Sequence, residues 1–262
     1  NHGEFQSLDI TDQTAVSNSV ASTRPDVIIN TAAMTQVDQC ELERDACWKV
    51  NVTAVENLIN ASIANHVHLV HVSTDFIFDG TQELLDETAE PNPVNYYGES
   101  KFEGERRVVE SAISWSIIRT VLVYGLTRDM SRSNIVIWVK NSLEQGKTIS
   151  VVNDQWRTPT LAEDLAEGCY LAAIKRASGI YHISGKDYLS IYDFALSIAD
   201  FFGLDKSLIK ETDSTKFIQP GRRPLKTGFI LDKAQKILGY EPHSIEEGLG
   251  ILASQMISLK DQ

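Results

Sequence analysis

The chain has 262 residues, 42% hydrophobic and 23% charged, a balance typical of one large folded domain, with or without a small satellite. Its 36 acidic and 24 basic residues give a formal net charge of −12, which argues against a nucleic acid partner because such a field repels phosphate. Since no apolar run reaches about 18 residues and the first residues do not resemble a signal peptide, we expect a cytoplasmic protein without membrane contact.

Short apolar runs rich in β-branched residues alternate with stretches of helical spacing along the chain. The runs are typical of buried strands, and the alternation predicts an α/β fold with a Rossmann-like, doubly wound parallel sheet. The predicted strands cover residues 26–30, 68–73, 115–120, 148–152 and 180–184, and the predicted helices cover residues 12–23, 40–64, 94–113, 133–145, 161–176, 190–203, 232–239 and 244–258.

The pattern changes after residue 185, where helices are separated by the basic, proline-containing segment 219–228. We therefore predict a Rossmann-like domain over residues 1–152 and a small, mainly substrate-binding lobe over residues 153–262. Some elements of the lobe are expected to return to the Rossmann sheet.

The opening of a dinucleotide-binding sheet, a strand followed by a glycine-rich turn and a helix, is missing from the sequence. The first elements resemble the third strand of such a sheet and the elements after it. We expect that about 30 to 40 residues, roughly one βαβ unit, precede this sequence; the alternative is a protein without the loop.

Residues 97–101 read YGESK and place Tyr97 and Lys101 on one face of a predicted helix. We expect the lysine ammonium to favour the phenolate and to lower the pKa of Tyr97 from about 10. Tyr97 can then act as a general acid, giving a proton to a carbonyl oxygen while hydride reaches the carbon. Alone the pair is weak evidence, because about 0.4 such pairs arise by chance per chain.

The segment HVSTDFIFDG strengthens this interpretation. It places Ser73, Thr74 and Asp75 at the carboxyl end of a predicted strand, the edge at which doubly wound sheets hold ligands. A hydroxyl group there can polarise the same carbonyl. The small residues TAA after Asn30 form a second strand tip and a candidate cofactor contact.

Four segments, NTAAMTQVD, STDFIFDG, NPVNYYGESKFEGE and NDQWRTPT, resemble in order the corresponding stretches of dTDP-4-dehydrorhamnose reductases, members of the extended short-chain dehydrogenase/reductase superfamily. The similarity covers nearly the whole chain. It implies reduction, by NADPH or NADH, of the C4 ketone of a nucleotide-linked 4-keto-6-deoxysugar in dTDP-L-rhamnose biosynthesis. It assigns carbonyl polarisation to Thr74, proton transfer to Tyr97 and cofactor ribose contact to Lys101.

The resemblance also implies which residues surround the two ligands, with the first domain binding NAD(P). For the cofactor they are Asp9 and Ile10 by the adenine, Ala32, Ala33, Thr35 and Ser73 along it, Asn51 near the catalytic helix, and Thr120, Val121 and Leu122 by the nicotinamide. For the sugar nucleotide they are Asp75, Phe76, Asn153, Gln155, Trp156, Arg157 and Thr158, with Arg223 at the pyrophosphate.

The sequence departs from the family at Phe76, where many members have tyrosine, and at Trp156 and Arg157, where smaller residues are common. Losing a phenol and gaining a guanidinium could suit a different sugar or nucleotide. The residue that selects NADH or NADPH normally ends the second strand, so the cofactor preference stays open.

Several charged groups have two interpretations. An anionic ligand must be met locally in so acidic a molecule, and the candidate arginines are Arg119, Arg157, Arg222 and Arg223, although the last two also suit a solvated loop. The acidic residues Asp38, Glu41, Glu43 and Asp45 could bind Mg²⁺ at a dimer contact, as in some family members, but solvated charge in a first helical turn explains them equally well.

Two further sets of possible metal ligands carry little weight. His68 and His71 of the group His66, His68 and His71 point to opposite faces of a strand, which argues against a metal site. Cys40, Cys47 and Cys169 have no ligand or disulfide spacing, so we expect reduced thiols.

For the reductase, the expected partners are the nucleotide sugar and a second copy of the chain in a homodimer. Two other functions stay open. One is an epimerase or dehydratase of the same superfamily, which regenerates a tightly bound nicotinamide in each cycle. The other is a non-catalytic regulatory subunit, because the same fold occurs, by resemblance, in the regulatory subunit of methionine adenosyltransferase.

Overall fold

The computed structural model describes residues 5–126 and 134–260, in which helices and strands alternate. Its strands are β1 (Val27–Asn30), β2 (His68–Thr74), β3 (Leu84–Leu85), β4 (Trp115–Thr120), β5 (Val123–Tyr124), β6 (Ile149–Val152), β7 (Trp156–Arg157), β8 (Thr160–Leu161), β9 (Gly179–His182), β10 (Leu189–Ser190), β11 (Ile209–Thr212) and β12 (Lys226–Phe229). Its α-helices are α1 (Gln13–Thr23), α2 (Val37–Leu42), α3 (Arg44–Trp48), α4 (Ala54–Asn65), α5 (Tyr96–Glu110), α6 (Ile135–Glu144), α7 (Ala162–Ile174), α8 (Ile191–Phe201) and α9 (Ile245–Lys260). Short 3₁₀ turns cover Asp75–Ile77, Lys206–Leu208 and Ser214–Lys216, and π-helical turns cover Lys49–Thr53 and Ala234–Leu238.

The central sheet is parallel, and its strands follow the order β1, β2, β4 and β9. Alternate residues of its strands point to opposite faces. Leu69 and Ile117 pack against α4 and α5 on one face, whereas Val70 and Ile118 pack toward α7 on the other. The predicted α/β fold with a parallel sheet covered on both faces is therefore confirmed.

A second apolar core lies in the C-terminal lobe, around α6, α8, α9 and the parallel pair of β6 and β11. The predicted strand 148–152 thus joins the lobe and not the central sheet, because apolar runs of this length look alike in either sheet. Residues 135–152, which the predicted division gives to the first domain, pack here. Residues 162–174 and 179–182 return to the central sheet.

The predicted helix 40–64 is divided into α2, α3, the π-helical turn and α4. The π-helical turn contains Asn51, whose buried side chain bonds to the backbone of Met34 and to Ser100 of α5. Such turns often occur at functional sites. Residue 133, the first of the predicted helix 133–145, lies outside the described residues.

α1 is the first regular element among the described residues, and Asp12 caps it by accepting from the Ala15 N–H. The leading βαβ unit stays a prediction. None of the described helices is both long and apolar enough to span a bilayer. All three cysteines are free and buried.

Candidate active site

The carboxyl ends of three neighbouring parallel strands lie at one edge of the central sheet. Asn30 ends β1, Thr74 ends β2 and Thr120 ends β4. This edge is where open α/β sheets bind ligands. The first turn of α5 reaches the same edge and carries Tyr97 to it.

Local sequence explains how α5 reaches the edge. Asn95 caps the helix by accepting from the Gly98 N–H at 2.8 Å, and its amide donates to the Arg222 carbonyl at 2.7 Å. Gly98 lies so close to the Phe76 carbonyl oxygen that a Cβ would overlap it. Glycine therefore lets the helix approach the end of β2.

Tyr97 and Thr74 form the centre of the site. Both are buried, with 7% and 6% of their surface exposed, and Thr74 lowers the pKa of the Tyr97 phenol. The Thr74 hydroxyl donates to the Asp75 carboxylate at 3.1 Å, and its oxygen accepts from the Phe76 N–H at 3.2 Å. These two bonds fix the Thr74 hydroxyl at the strand end.

Burial raises the pKa of Tyr97 above its ordinary value of 10. The polar influence of Thr74 lowers this pKa, and the charge of Asp75 raises it further. The prediction that Lys101 lowers this pKa was wrong for the structure. Helical spacing puts the two side chains on one face, but it does not reveal the depth of their burial, and here desolvation is the largest effect.

Lys101 is buried one helical turn after Tyr97 on α5, with 3% of the residue exposed. It donates to the Val72 carbonyl at 2.8 Å. Burial lowers the pKa of Lys101 from 10.5 to about 8, and Glu105 and Cys47 act in the opposite direction. Lys101 is consequently a charged group whose protonation depends on its neighbours.

Asn51 connects the π-helical turn with α5. Its amide nitrogen donates to Ser100 Oγ at 2.9 Å and to the Met34 carbonyl at 3.0 Å, while its oxygen accepts from the Met34 N–H at 2.9 Å. The structure thus places Asn51 against the helix of Tyr97 and Lys101, as the resemblance implied.

Arg157 and Asp75, both expected at the sugar nucleotide, lie in the interior. Arg157 is 3% exposed, and its guanidinium donates to the carbonyls of Trp156, Leu225 and Pro224. Its Nε lies 3.5 Å from Asp75, which also accepts from Thr227. The Arg157 side chain therefore connects β7 to the end of β2 and to the segment before β12. Its charge suggested a ligand contact, but it has a structural role.

Two of the expected substrate residues, Gln155 and Arg223, line one cavity of about 200 Å³ together with Trp138, Val152 and Phe217. Arg223 also pairs with Asp38 of α2, with Nη2 2.8 Å from Oδ2. This ion pair connects the lobe to the central domain across the carboxyl edge. The ion pair also gives Asp38, one of the acidic residues considered for Mg²⁺, a cationic partner within the protein.

The remaining expected substrate residues lie apart from that cavity. Asn153 is exposed and donates to Glu211 at 2.7 Å. Thr158 is buried and donates to Ser184 at 2.9 Å. Phe76 packs edge-on against Tyr97, with 5.6 Å between ring centroids, and Trp156 faces Tyr188 at 5.5 Å.

The expected cofactor residues are divided between the carboxyl edge and other places. The Ser73 hydroxyl is buried and has no hydrogen-bond partner in the described part of the chain. Ala32 and Thr35 are exposed on the loop after β1, and Ala33 lies between them.

The other expected cofactor residues lie after β4 and near α1. Val121 is buried in the core and Thr120 donates to Thr160, whereas Leu122 adopts a left-handed φ of 36°. Asp9 is exposed and bonds to Thr11, and the Ile10 carbonyl accepts from Asn57.

Metal-binding groups of three or more His, Cys, Asp or Glu residues do not occur in the described ranges. His68 bonds to Ser114 and Ser116, and His71 contacts Asn30. Glu41 pairs with Arg44 and accepts from the Tyr96 N–H.

Sequence reasoning missed Glu105 and misassigned Arg119. Both are buried, at 2% and 3% exposure, and form an ion pair with 2.7 Å between Nη2 and Oε2. Arg119 therefore has a carboxylate partner inside the protein. A signal for Glu105 was available, because Tyr97, Lys101 and Glu105 recur every four residues along one helix face.

Tyr97 and Lys101 beside a strand-end threonine, on a parallel sheet covered by helices, define the class of extended short-chain dehydrogenases/reductases, a class of oxidoreductases. Within that class the chain belongs to the family described as RmlD substrate binding domain, whose model matches residues 3–257.

The named relatives include reductases and regulatory subunits. The chain is 33% identical to a dTDP-4-dehydrorhamnose reductase of Aggregatibacter actinomycetemcomitans, over 94% of this chain and 86% of that protein. It is 32% identical to the methionine adenosyltransferase 2 subunit beta of Bos taurus, over 80% of this chain and 65% of that protein. Among solved structures, a dTDP-4-dehydrorhamnose reductase from Bacillus anthracis in complex with NADP superposes with a TM-score of 0.88 at 32% identity, covering 95% of this chain and 87% of that one.

Proposed function

We propose that the protein is an NAD(P)H-dependent reductase of the C4 ketone of a nucleotide-linked 4-keto-6-deoxysugar. The observation that carries this proposal is the buried group of Thr74, Tyr97 and Lys101 at the carboxyl edge of the sheet. The similarity to named dTDP-4-dehydrorhamnose reductases supports the reaction.

The residues at the edge suit a nicotinamide cofactor. The buried Ser73 hydroxyl has an unused donor and acceptor in the described structure, next to Thr74, and the Lys101 ammonium has donors beyond its bond to Val72. When bound, the reduced nicotinamide supplies hydride to the carbonyl carbon. The complex of the similar reductase with NADP makes NADPH the first cofactor to test.

Tyr97 supplies the proton in this scheme. Because burial raises its pKa, the phenol is protonated at neutral pH and can donate to the developing alkoxide of the sugar. Lys101, one helical turn further along α5, is assigned to the cofactor ribose and not to the pKa of the phenol.

Thr74 lies beside Tyr97 and lowers the pKa of the phenol. In the structure its hydroxyl proton is directed at Asp75, and its oxygen accepts from the Phe76 N–H. To polarise the sugar carbonyl, the Thr74 hydroxyl would have to donate to the carbonyl oxygen in place of Asp75.

We place the nucleotide in the cavity lined by Gln155 and Arg223. A pyrophosphate at Arg223 would replace the carboxylate of Asp38, its present partner. Asp75 and Arg157 are not assigned to the ligand, because each is used inside the protein.

The test is oxidation of NADPH and NADH, followed by absorbance, with a panel of 4-keto nucleotide sugars that includes the dTDP-linked 6-deoxy compound. Rapid oxidation with one of them supports the proposal and identifies the substrate. Cofactor binding without oxidation would contradict it, and turnover of a nucleotide sugar without added cofactor would favour an epimerase or dehydratase.

A second candidate is a regulatory subunit of methionine adenosyltransferase, favoured by the identity of 32% to a named subunit beta. A regulatory role predicts stable association with the synthetase and a change in the synthetase rate. The reductase proposal predicts neither. The homodimer stays a prediction, which sedimentation can test.

A further inference from the structure

Three side chains of chemical interest lie along one face of α5. Tyr97, Lys101 and Glu105 are four residues apart, and residues at this spacing are neighbours on a helix. Lys101 and Glu105 are both almost completely buried. Two residues of opposite charge thus lie one helical turn apart in the interior.

Arg119 of β4 fixes the position of Glu105. Its Nε lies 3.1 Å from Oε1 and 3.2 Å from Oε2, and its Nη2 lies 2.7 Å from Oε2. Two parallel contacts of this kind restrict the carboxylate in rotation as well as in distance. Arg119 directly precedes Thr120, the last residue of β4 at the carboxyl edge.

We propose that Glu105, fixed by Arg119, is a positioning residue that keeps the buried Lys101 ammonium charged at the site. An ammonium that is removed from water without a counter-charge tends to lose its proton. The Val72 carbonyl, which accepts from Lys101, is neutral. Glu105 supplies the compensating negative charge from the same helix face.

The other groups that interact electrostatically with Lys101 fit this role. Glu105 has the largest effect opposing the burial of the ammonium, ahead of Cys47 of α3. His71 of β2 is uncharged near neutral pH, because burial and Lys101 lower its pKa. Arg119 forms an ion pair with Glu105. Tyr97, on the same helix as Lys101, is neutral because burial raises its pKa.

The test is the protonation of Lys101, measured by NMR in protein labelled with carbon-13 at the lysine ε position, with Lys101→Arg used for assignment. In wild type the midpoint is expected at about 8. Glu105→Gln is expected to move it down by about one pH unit or more. Glu103→Gln is the matched control, because Glu103 lies on the same helix and pairs with the surface residues Arg106 and Arg107; no shift is expected.

Because Glu105→Gln leaves Arg119 buried without its partner, the variant can lose stability. The double variant Glu105→Gln, Arg119→Met removes both charges at similar volume and is expected to keep a lowered midpoint. An unchanged Lys101 midpoint in either folded variant overturns the proposal.

The consequence for turnover rests on the proposed reductase function. Where the wild type turns over, the alkaline limb of its pH profile should move to lower pH in Glu105→Gln, with at least about a fivefold larger loss at pH 8 than at pH 6. Equal losses at both pH values contradict the role. If the wild type shows no turnover, the reductase function fails, while the NMR titration still decides the role of Glu105.

Discussion

Tyr97 and Arg157 are both buried polar residues in segments that resemble the same family, but their polar atoms have different surroundings. The Tyr97 phenol lies in the first turn of α5 at the carboxyl edge of the sheet, against the ring of Phe76. The Arg157 guanidinium instead faces three backbone carbonyls and Asp75. A polar residue in a ligand-binding segment therefore serves the ligand only if the fold leaves its donors free.

The largest effect is expected for Tyr97→Phe, which removes the proton donor. Turnover should fall by about 10² to 10⁴, while the free energy of unfolding changes by only about 1 kcal/mol because phenylalanine keeps nearly the same volume. Steady-state kinetics and urea unfolding check the two values, and cofactor binding should persist. Tyr170→Phe, at an exposed tyrosine of α7, is the control; full activity of Tyr97→Phe would end the assignment.

Arg157→Met should show the opposite profile. It leaves the buried Asp75 without its counter-ion, so the free energy of unfolding should fall by about 3 to 5 kcal/mol. Urea unfolding measures this loss, and Arg106→Met, at an exposed pair with Glu103, should change it by under about 0.5 kcal/mol. An unchanged stability, together with a raised KM for the sugar nucleotide, would restore Arg157 to the ligand site.

Gln155 and Asn153 differ in a similar way within one loop. Gln155 lines the cavity, whereas Asn153 is tied to Glu211 on the surface. Gln155→Ala should raise KM for the nucleotide sugar by about tenfold, the equivalent of one hydrogen bond. Asn153→Ala should leave KM nearly unchanged, and the reverse order would move the nucleotide away from the cavity.

The smallest effect concerns the contact between His243 and Asp164 of α7, with 2.6 Å between Nδ1 and Oδ1. The hydrogen bond to Asp164 raises the pKa of His243. A raised folded pKa stabilises the fold at low pH, and this contribution is lost as pH rises through the folded pKa, from about 6.5 upward. Because His243 is 41% exposed, the unfolding free energy should fall by under about 1 kcal/mol.

Urea unfolding at pH 5.5 and 8.5 measures this effect, with His243→Gln as the control that removes the titration. Equal differences between the two pH values in wild type and variant would show that the contact does not titrate in the folded protein.

The sequence was sufficient for the central sheet, because β-branched runs that alternate with helices have few other solutions. Spacing alone also placed Tyr97 and Lys101 on one face of a helix. Strand ends with polar residues correctly located the edge at which Thr74 and Ser73 lie. These features depend on the order and spacing of residues within short segments, which can be observed in a single sequence.

Features that depend on contacts between distant segments could not be predicted. The pKa of Tyr97 results from burial under elements far away in the sequence. Arg157 meets the carbonyls of Pro224 and Leu225, about 70 residues further along the chain. The strand 149–152 finds its partner at 209–212, and nothing in these four residues specifies that choice.

The most direct test of the proposed reduction is transfer of deuterium from reduced nicotinamide labelled at C4 to the sugar, measured by mass spectrometry and NMR of the product. We expect deuterium at C4 of the sugar, at a rate that falls with Tyr97→Phe and not with Tyr170→Phe. A nucleotide sugar converted without deuterium at C4, or no conversion of any 4-keto sugar, would contradict the reductase function.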